Sequence, residues 1–578
     1  MHSPEATIHC PNPMCQALNP ESHRFCQQCR TALPKRYLWA VGKAADSVRP
    51  GQLLASRYWC KQSRVFMDTK PGLLPDSPEE LPETVEPYLR LFPYQLHVPQ
   101  IYAVVPSPKK RAANILLLDR APIYPYEVSD SDGNGQESTL MPALETIWPQ
   151  STALRQLNWL WQMAQLWEPL MQEGVASSLL TPNSLRVEDS LVRLLELQSN
   201  SEKTPVLADL GKIWQRWQPS AQPEIADYLK AVCRQLQQGE VDTVEQLLWM
   251  LDQAIAVCGQ AQTRQLQIAT LTDQGPMRQR NEDACYPASG TTMIARTDWG
   301  ERPSSSNGTL PLVVVCDGIG GHEGGNVASN LAIATVQQRL QKLIYQANQL
   351  AAATLTAELE HAALVANDVI TERNDAEQRH ERQRMGTTLV MALGQDHELY
   401  LTHVGDSRAY RVTRTGCHQV TVDDDLASRE VRLGYALYRN ALQQPNSGSL
   451  VQALGMNVSS LLHPTVQRFI LDEDCLFLLC SDGLSDNDRV EEHWQTILLP
   501  VLEGKMDLGT ASRQLIEIAN EQNGHDNVTV GLVCCRVLPH PQSPSSAQLS
   551  ASLATLPASP TTQQPAFLPV LKVRPYRS

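Results

Sequence analysis

Apolar and polar positions alternate most regularly between residues 266 and 537. Short apolar runs there are bounded by glycine-containing turns, and "TTLVMALGQDHELYLTHV" predicts two strands joined by a Gly-Gln-Asp-His turn. Two other stretches, Val336 to Leu350 and Leu355 to Val369, repeat apolar residues at spacings of three and four, which predicts two amphipathic helices. Consecutive helices inside a strand-rich region indicate a layered α+β domain with antiparallel sheets.

The remaining apolar positions divide the chain further. Within residues 38–258, the segments "RYWCKQSRVFMD" and "NILLLDRAPIY" predict strands, and helical faces begin at Leu154, Ile225 and Val244. Strands followed by helices predict a mixed α+β region with two lobes. Residues 538–578 are rich in Pro, Ser, Thr and Gln and carry almost no charge until the end, which predicts a disordered tail.

Composition places the chain among soluble globular proteins. Its 578 residues are too many for one hydrophobic core, and two to four domains are expected. The apolar runs are shorter than a membrane span, and the first residues lack the apolar core of a signal peptide, so we expect a cytoplasmic protein that does not bind membranes. The net charge of −14 disfavours binding to nucleic acid. An enzyme of this charge that acts on phosphate would need cations to offset its own negative field.

Four cysteines cluster near the N-terminus, whereas most of the others lie in apolar runs, as in proteins of reducing compartments. The segment "CPNPMCQALNPESHRFCQQCRTALP" pairs Cys10 with Cys15 and Cys26 with Cys29. Two such pairs predict a zinc ribbon over residues 1–37 that holds one structural Zn²⁺ and serves as a protein-interaction module. Because the segment is too short to bury a core, metal would supply its folding energy. The alternative is four unligated thiols.

Acidic residues recur where predicted strands end or begin. They are Asp273, Glu282, Asp283, Asp317, Asp406, Asp482 and Asp526. Each one alone is consistent with a turn or a cap. Together they indicate a site that needs cations, because carboxylates held close together raise one another's pKa. Carboxylate oxygens suit Mg²⁺ or Mn²⁺, and two such ions about 3.5–4 Å apart can share a carboxylate and generate hydroxide from water.

Six segments resemble, in order and spacing, the PPM-type (type 2C) metal-dependent protein serine/threonine phosphatases. They cover residues 266–537 and read "DQGPMRQRNED", "VVCDGIGGHEGG", "MGTTLVMAL", "HVGDSRAYRV", "LLCSDGLSD" and "GHDNVTV". The resemblance implies a four-layer α-β-β-α sandwich with the metal ions at one edge of two central sheets. It also implies that phosphoserine and phosphothreonine on proteins are hydrolysed by a metal-bridging hydroxide, without a covalent intermediate.

The resemblance also implies which residues hold the two principal ions. Asp317 would bridge them, which explains why an apolar strand delivers a carboxylate into the glycine-rich loop that follows. The carbonyl oxygen of Gly318 would bind one ion. Asp482 and Asp526 would complete the protein ligands of the other.

Further roles follow from the same resemblance. Glu282 and Asp283 would ligate the metals directly or hold their bound waters. Asp406, together with Asp482, would match a third and weaker metal site found in bacterial members. Arg278 would clamp the substrate phosphate, because a guanidinium forks onto phosphate oxygens.

Two segments depart from the family pattern. Eukaryotic relatives place a histidine immediately after the Asp-Gly pair, whereas this chain has Ile319 there and His322 three residues later. We expect His322 to shape the loop, and a metal-bound water to act as the acid. The usual Asp-His-Ser is replaced by a segment that contains Asp424 and Asp425 and leads into the flap, residues 427–449.

The region 38–258 faintly resembles a protein kinase in "GVASSLLTPNSLRVED" and "PVLADLGKIW". Where a kinase has His-Arg-Asp, however, this chain has Ala176, Ser177 and Ser178. Without that catalytic base, and without a glycine-rich phosphate loop, phosphoryl transfer by this region is not expected. Asp209 therefore receives no catalytic role. The alternative is an unrelated α+β spacer.

Two functional hypotheses follow. In the first, the chain is an enzyme that hydrolyses phosphorylated proteins, and the ribbon and the region 38–258 bind a protein partner. In the second, the phosphatase fold is inactive and serves as a phosphoprotein-binding adaptor. Loss of metal-binding carboxylates would favour the adaptor, and none is lost.

Overall fold

The computed structural model divides into two compact units. Unit 1 comprises residues 1–150, 165–217 and 427–447. Unit 2 comprises residues 151–164, 218–426 and 448–578. Within these ranges the structure describes residues 6–75, 77–78, 80–107, 113–124, 140–201, 203–297, 304–305, 310–319, 324–346, 350–540 and 543–556. Among the described residues, no helix combines the length and the apolar character that crossing a membrane requires.

A six-stranded antiparallel sheet forms the centre of unit 1. The strands of the unit are β1 (Thr7–His9), β2 (Leu18–Pro20), β3 (Tyr37–Val41), β4 (Leu53–Leu54), β5 (Tyr58–Gln62), β6 (Val65–Asp68), β7 (Gln100–Val105), β8 (Ile115–Asp119), β9 (Leu185–Glu188) and β10 (Leu191–Leu194). The sheet has the order β4-β5-β6-β3-β8-β7, and β1–β2 and β9–β10 form separate antiparallel pairs. Leu38, Phe66 and Leu117 are fully buried in the core on this sheet.

Two larger antiparallel sheets form the centre of unit 2. Its strands are β11 (Gln262–Asp273), β12 (Ala284–Tyr286), β13 (Thr292–Thr297), β14 (Ser304–Ser305), β15 (Leu312–Cys316), β16 (Gly318–Ile319), β17 (Gly386–Thr387), β18 (Leu389–Gln395), β19 (Glu398–Val404), β20 (Arg408–Val412), β21 (Cys417–Gln419), β22 (Thr465–Ile470), β23 (Cys475–Cys480) and β24 (Val528–Pro539). One sheet has the order β14-β13-β11-β24-β23-β20-β21, and the other has the order β12-β15-β18-β19-β22. The two sheets approach each other closely at Gly531 of β24. A Cβ atom at this position would lie 2.5 Å from the Val313 side chain of β15.

Helices pack on both units. In chain order they are α1 (Glu86–Arg90), α2 (Leu144–Ile147), α3 (Ala153–Gln172), α4 (Leu207–Trp217), α5 (Pro223–Gln238), α6 (Val244–Gly259), α7 (Gly325–Gln346), α8 (Ala352–Ala376), α9 (Leu426–Arg432), α10 (Tyr438–Ala441), α11 (Asp482–Ser485), α12 (Arg489–Leu502), α13 (Leu508–Ile518) and α14 (Ser546–Ala554). In unit 2, α7 and α8 share a core with the five-stranded sheet, and α12 and α13 share one with the seven-stranded sheet. The expected layered α and β arrangement with antiparallel sheets is therefore present.

The predicted boundaries differ from those of the structure in three places. Residues 218–258 belong to unit 2, where Asp252 of α6 forms a 2.8 Å ion pair with Arg468 of β22. Tyr37 opens β3, so a ribbon ending at residue 37 would cut into the sheet of unit 1. The flap lies largely in unit 1.

The tail prediction is wrong for residues 538–556. Strand β24 continues to Pro539, and α14 begins with a capping box between Ser545 and Gln548. Leu549 and Leu553, one helical turn apart, are buried. These two leucines are sparse in a Ser- and Ala-rich stretch, which explains why composition alone indicated disorder. The rest of the predicted tail, residues 557–578, lies outside the described residues.

Candidate metal centre and phosphate site

Asp317 follows β15 directly, and its backbone is held on both sides. Its N–H donates to the Oγ1 of Thr388 at 2.9 Å. Its carbonyl oxygen accepts from the hydroxyl of Thr387 at 2.8 Å and from the N–H of Thr388 at 2.9 Å. These hydrogen bonds fix the main chain from which the carboxylate projects.

Asp482 and Asp526 come to the same edge of the seven-stranded sheet because β23 and β24 are antiparallel neighbours. Asp482 lies two residues after the end of β23, and Asp526 lies two residues before the start of β24. Cys480 pairs with Val530, so the end of one strand meets the beginning of the other. The two carboxylates, distant in sequence, therefore share one position at the sheet edge.

Glu282 and Asp283 immediately precede β12, which pairs with β15 so that Ala284 lies opposite Cys316. This register brings Asp283 beside Asp317. Asp283 is almost fully buried, and its Oδ2 accepts from the hydroxyl of Ser481 at 2.7 Å. All three predicted metal-binding segments therefore converge.

Asp406 lies in the turn between β19 and β20 and joins the same group. The hydroxyls of Thr388 and Ser407 are 2.6 Å apart, so Thr388 connects the Asp317 loop to the Asp406 loop. The N–H of Gly405 donates to the carboxylate of Asp424 at 3.0 Å, which fixes the other side of the turn.

The pKa values show how strongly these carboxyl groups affect one another's ionisation. Burial and neighbouring carboxylates raise the pKa of Asp283 to about 7, of Asp406 to about 8 and of Asp482 to about 6. The same causes raise the pKa of Asp317 well above its ordinary range, with Asp283 and Asp482 as the strongest neighbours. Negative charge gathered in this way is stable only with cations or protons.

The residues fit divalent cations. Asp283 Oδ1 and Asp482 Oδ1 are buried, and neither finds a hydrogen-bond partner among the described residues. A buried carboxylate oxygen without a partner costs free energy, and a metal ligand bond removes that cost. The donors are hard oxygens, as Mg²⁺ and Mn²⁺ prefer.

Gly318 fits its expected role because no side chain can be placed there. A Cβ atom would lie 2.4 Å from the carbonyl of Gly325 and 2.6 Å from the carbonyl oxygen of Glu282. Only glycine allows these segments to meet so closely. Ile319 pairs with Gly386 in the short β16–β17 ladder. His322 lies outside the described residues, so its expected role in the loop stays a prediction.

Arg278 reaches the site from the loop that precedes Glu282. Its Nη2 donates to Asp526 Oδ2 in an ion pair, and its Nε donates to the carbonyl oxygen of His525 at 3.1 Å. The side chain is nevertheless 45% exposed. One edge of the guanidinium is thus anchored on a predicted metal ligand while the group stays open to solvent.

Sequence reasoning assigned no role to Asn527, although the quoted motif "GHDNVTV" contains it. Its Oδ1 accepts from the N–H of Glu282 at 2.8 Å. Its Nδ2 donates to the carbonyl oxygens of Gln274 at 2.7 Å and Arg280 at 2.9 Å. Asn527 thus fastens the loop of Arg278, Glu282 and Asp283 onto the start of β24. Only the chemistry of a buried amide with two donors and an acceptor could have indicated this role.

The four N-terminal cysteines also converge. Their sulfur atoms all lie within 4.8 Å of one another, with Cys10 and Cys29 3.4 Å apart and Cys15 and Cys26 3.7 Å apart. Thiolates about 2.3 Å from a tetrahedral zinc ion would be roughly 3.8 Å apart. Hydrogen bonds, chiefly from backbone N–H groups, lower the pKa of Cys26 to about 6, whereas burial raises the pKa of Cys10 to about 12. Cys26 is therefore the thiol that most readily supplies the thiolate that zinc binds.

Comparison with known proteins identifies one family. The sequence profile of "Protein phosphatase 2C" matches residues 301–517. The serine/threonine phosphatase stp of Listeria welshimeri is 32% identical over 267 residues, which cover 45% of this chain and 93% of that protein. The serine/threonine protein phosphatase PstP of Mycobacterium tuberculosis is 30% identical over 265 residues, which cover 46% of this chain and 44% of that protein.

Among solved structures, the M. tuberculosis phosphatase PstP/Ppp is 29% identical with a TM-score of 0.37, covering 48% of this chain and 100% of that chain. A catalytic domain of PstP in complex with two manganese ions is 28% identical with a TM-score of 0.35, covering 47% and 99%. Sequence similarity establishes the family, since the relative from Listeria is matched over nearly its whole length. The chain belongs to the protein phosphatase 2C family and is a protein serine/threonine phosphatase.

Proposed function

We propose that this chain hydrolyses phosphoserine and phosphothreonine on proteins with two divalent ions, Mn²⁺ or Mg²⁺, held by the carboxylate cluster. The observation that carries the proposal is the convergence of Asp283, Asp317 and Asp482, in which the buried Oδ1 atoms of Asp283 and Asp482 have no hydrogen-bond partner among the described residues. When bound, the ions would supply the activation of a water molecule as the nucleophile for phosphate hydrolysis. We place them at one edge of a four-layer α-β-β-α sandwich, which the helix and sheet cores of unit 2 support.

In this proposal the protein's own groups divide the work. Asp317 would hold both ions, together with the Gly318 carbonyl for one of them and Asp482 and Asp526 for the other. Thr387 and Thr388 hold the Asp317 backbone, so the bridge is preorganised before metal binds.

The acidic groups around the bridge extend the site. Glu282 and Asp283 ligate directly or orient bound water, and their loop is fastened by Asn527. Asp406, beside Asp482, forms a third and weaker cation site, which the effect of the Asp482 carboxylate in raising the pKa of Asp406 supports.

Arg278 binds the substrate phosphate. Its anchor on Asp526 and on the His525 carbonyl sets the direction of the guanidinium, and its exposed edge remains accessible to an incoming phosphate. Arginine suits this task because its planar fork pairs two donors with two phosphate oxygens.

The N-terminal cysteines bind one Zn²⁺, and the part of the region 38–258 that lies in unit 1 is a kinase-like scaffold without phosphoryl-transfer chemistry. Asp209 supports the second point, because it lies in the first turn of α4 and forms a 2.7 Å ion pair with Lys212. We place the protein in a reducing compartment, where thiolate ligands survive.

The test is the variant Asp317→Asn compared with Asp209→Asn, assayed on a phosphothreonine peptide across a manganese titration. Loss of the bridging charge should reduce kcat by more than the roughly 10–100-fold that loss of an outer-shell group costs. Asp209→Asn should stay within about twofold of the parent. A near-normal rate for Asp317→Asn at saturating Mn²⁺ would refute the assignment, and an inactive parent would favour the adaptor function.

A further inference from the structure

The flap segment of residues 427–447 belongs to unit 1, not to the unit that carries the carboxylate cluster. Its helices α9 and α10 have only seven and four residues. Helices this short are not stable alone in water, so packing must supply their conformation. The segment packs with the other residues of unit 1, and the contacts described next come from the α+β region between residues 57 and 102.

The principal contact is a buried polar chain that ends on Arg439. The Asp68 carboxylate is fully buried and accepts two hydrogen bonds from Arg57, at 2.8 and 2.7 Å, and another from the hydroxyl of Tyr102. The same hydroxyl accepts from Nη1 of Arg439 at 2.6 Å. Asp68 polarises the hydroxyl, and hydrogen bonds in such a chain strengthen one another. We call Asp68, Arg57 and Tyr102 the clasp.

Further contacts surround the clasp. Nη2 of Arg439 donates to the carbonyl oxygen of Pro71 at 3.3 Å, and its guanidinium lies 5.1 Å from the centre of the Tyr102 ring. The neighbouring Tyr438 packs against Phe92, with ring centres 5.1 Å apart. Arg439 therefore combines a charge-assisted hydrogen bond with a cation–π contact, next to an aromatic pair.

Both stems of the flap connect to segments that carry metal-binding carboxylates. On the entry side, Asp424 accepts from the N–H of Gly405, the residue before Asp406. On the exit side, Leu454 and Thr387 exchange two backbone hydrogen bonds, at 3.0 and 2.9 Å, and the hydroxyl of Thr387 donates to the Asp317 carbonyl. The conformation of the flap is thus linked by hydrogen-bonded backbone to both loops.

We propose that the α+β region controls the phosphatase through the flap: the clasp holds Arg439, and this grip sets the affinity for phosphoprotein substrates. The proposal rests on the phosphatase activity of the chain and adds a regulatory role for a region that carries no phosphoryl-transfer chemistry. Arg439 is a positioning residue, because it acts through the flap and not on the reacting atoms.

The test uses Arg439→Ala and Tyr102→Phe in the full chain, with Arg373→Ala as the matched control. Tyr102→Phe keeps the ring and removes only the hydroxyl. It therefore tests the same contact with a smaller change, in case Arg439→Ala does not fold. Arg373 forms an exposed i,i+4 ion pair on α8, so it supplies an arginine outside both the flap and the clasp. Amide hydrogen exchange of residues 427–447 is measured first, because it does not depend on catalysis.

Arg439→Ala and Tyr102→Phe should each accelerate exchange in residues 427–447 at least about tenfold, and the double variant should show no further increase. KM for a phosphothreonine protein should change severalfold, whereas kcat/KM for a small aryl phosphate should stay within about twofold. Unchanged exchange in Arg439→Ala, or fully additive effects in the double variant, would overturn the clasp. Altered exchange with unchanged protein-substrate KM would overturn the regulatory role, and an inactive parent would refute the phosphatase function instead.

Discussion

The carboxylate cluster and the cysteine cluster are both candidate metal sites, but they are assembled in opposite ways. The cysteines lie within 20 residues of one another in sequence, on turns of a segment with little core of its own. The carboxylates are spread along the sequence from Glu282 to Asp526, and two large sheets bring them together. The first site should therefore need its metal in order to fold, whereas the second should fold first and bind its metals afterwards.

This difference determines what a substitution does. In a site built by the fold, groups that hold the loops are as important as the ligands, and they lie far from their partners in sequence. In a site built by local turns, the ligands themselves are the structure. The predictions below sharpen this contrast, beginning with the largest expected effect.

Asn527→Ala should weaken Mn²⁺ binding and kcat/KM about 10–100-fold, because it releases the loop that carries Glu282 and Asp283. Manganese titration of the phosphopeptide assay measures both quantities. Asn367→Ala is the control, since this buried amide also makes hydrogen bonds, to the backbone of Asn457 and Gly455 and to Ser459. The control should lose thermal stability but keep its manganese affinity. Equal manganese affinity in both variants would show that the loop needs no such fastening.

Arg278→Ala should raise KM for a phosphopeptide about tenfold or more and change kcat less, because a clamp on ground-state phosphate contributes mostly uniform binding. Steady-state kinetics at saturating Mn²⁺ measures both constants. Arg278→Lys keeps the charge but loses the fork, and should recover only part of the affinity. A variant with unchanged KM but weaker metal binding would show that Arg278 serves Asp526 and not the substrate.

Manganese should raise the melting temperature of the protein, and more so at higher pH. The folded-state pKa values of Asp283, Asp406 and Asp482 lie above their ordinary value of 3.8. Ionising them therefore costs more in the folded state than in the unfolded state, and without metal the stability should fall as pH rises from about 4 to about 8. Bound cations should remove this loss. Melting curves at pH 5 and pH 8, with and without Mn²⁺, test it, and an equal gain at both pH values would contradict it.

The sequence predicts a residue's role well when that role depends on its neighbours in sequence, and poorly when it depends on distant residues. The residues of the carboxylate cluster could be assigned because each acidic residue adjoins a predicted strand and follows a recognisable family pattern. The structure brings Asp317, Asp482 and Asp526 together, and their roles as metal ligands stay predictions. Asn527 and Thr388 could not be assigned, because their roles depend on hydrogen bonds to loops more than 70 residues away. Periodicity predicts an element, but it does not show which distant loop that element supports.

The placement of the flap and of residues 218–258 shows the same limit. Sequence continuity predicts one grouping for these segments, whereas packing in the structure gives another. The charge of Arg439 gives no hint that Tyr102 lies beneath it, since more than 300 residues separate them. Similarly, α14 depends on two leucines whose burial is visible only in the folded chain.

The smallest catalytic effect is expected from losing the cysteine site. The double variant Cys26→Ser/Cys29→Ser should lose one equivalent of zinc per chain, because thiolates select zinc and the carboxylate cluster selects Mn²⁺ or Mg²⁺. Hydrolysis of a small aryl phosphate should stay within about twofold of the parent, while the segment around β1 and β2 becomes sensitive to protease. Substitution is preferable to deletion, because Ile8 packs with Met67 and Glu21 pairs with Lys61 of the neighbouring sheet.

Elemental analysis gives the metal content, and the serine variant of the buried Cys233, which lies outside the cluster, is the control. Equal zinc in all three proteins would refute the zinc site. A large fall in aryl phosphate turnover would show that the cysteine cluster supports the catalytic core directly.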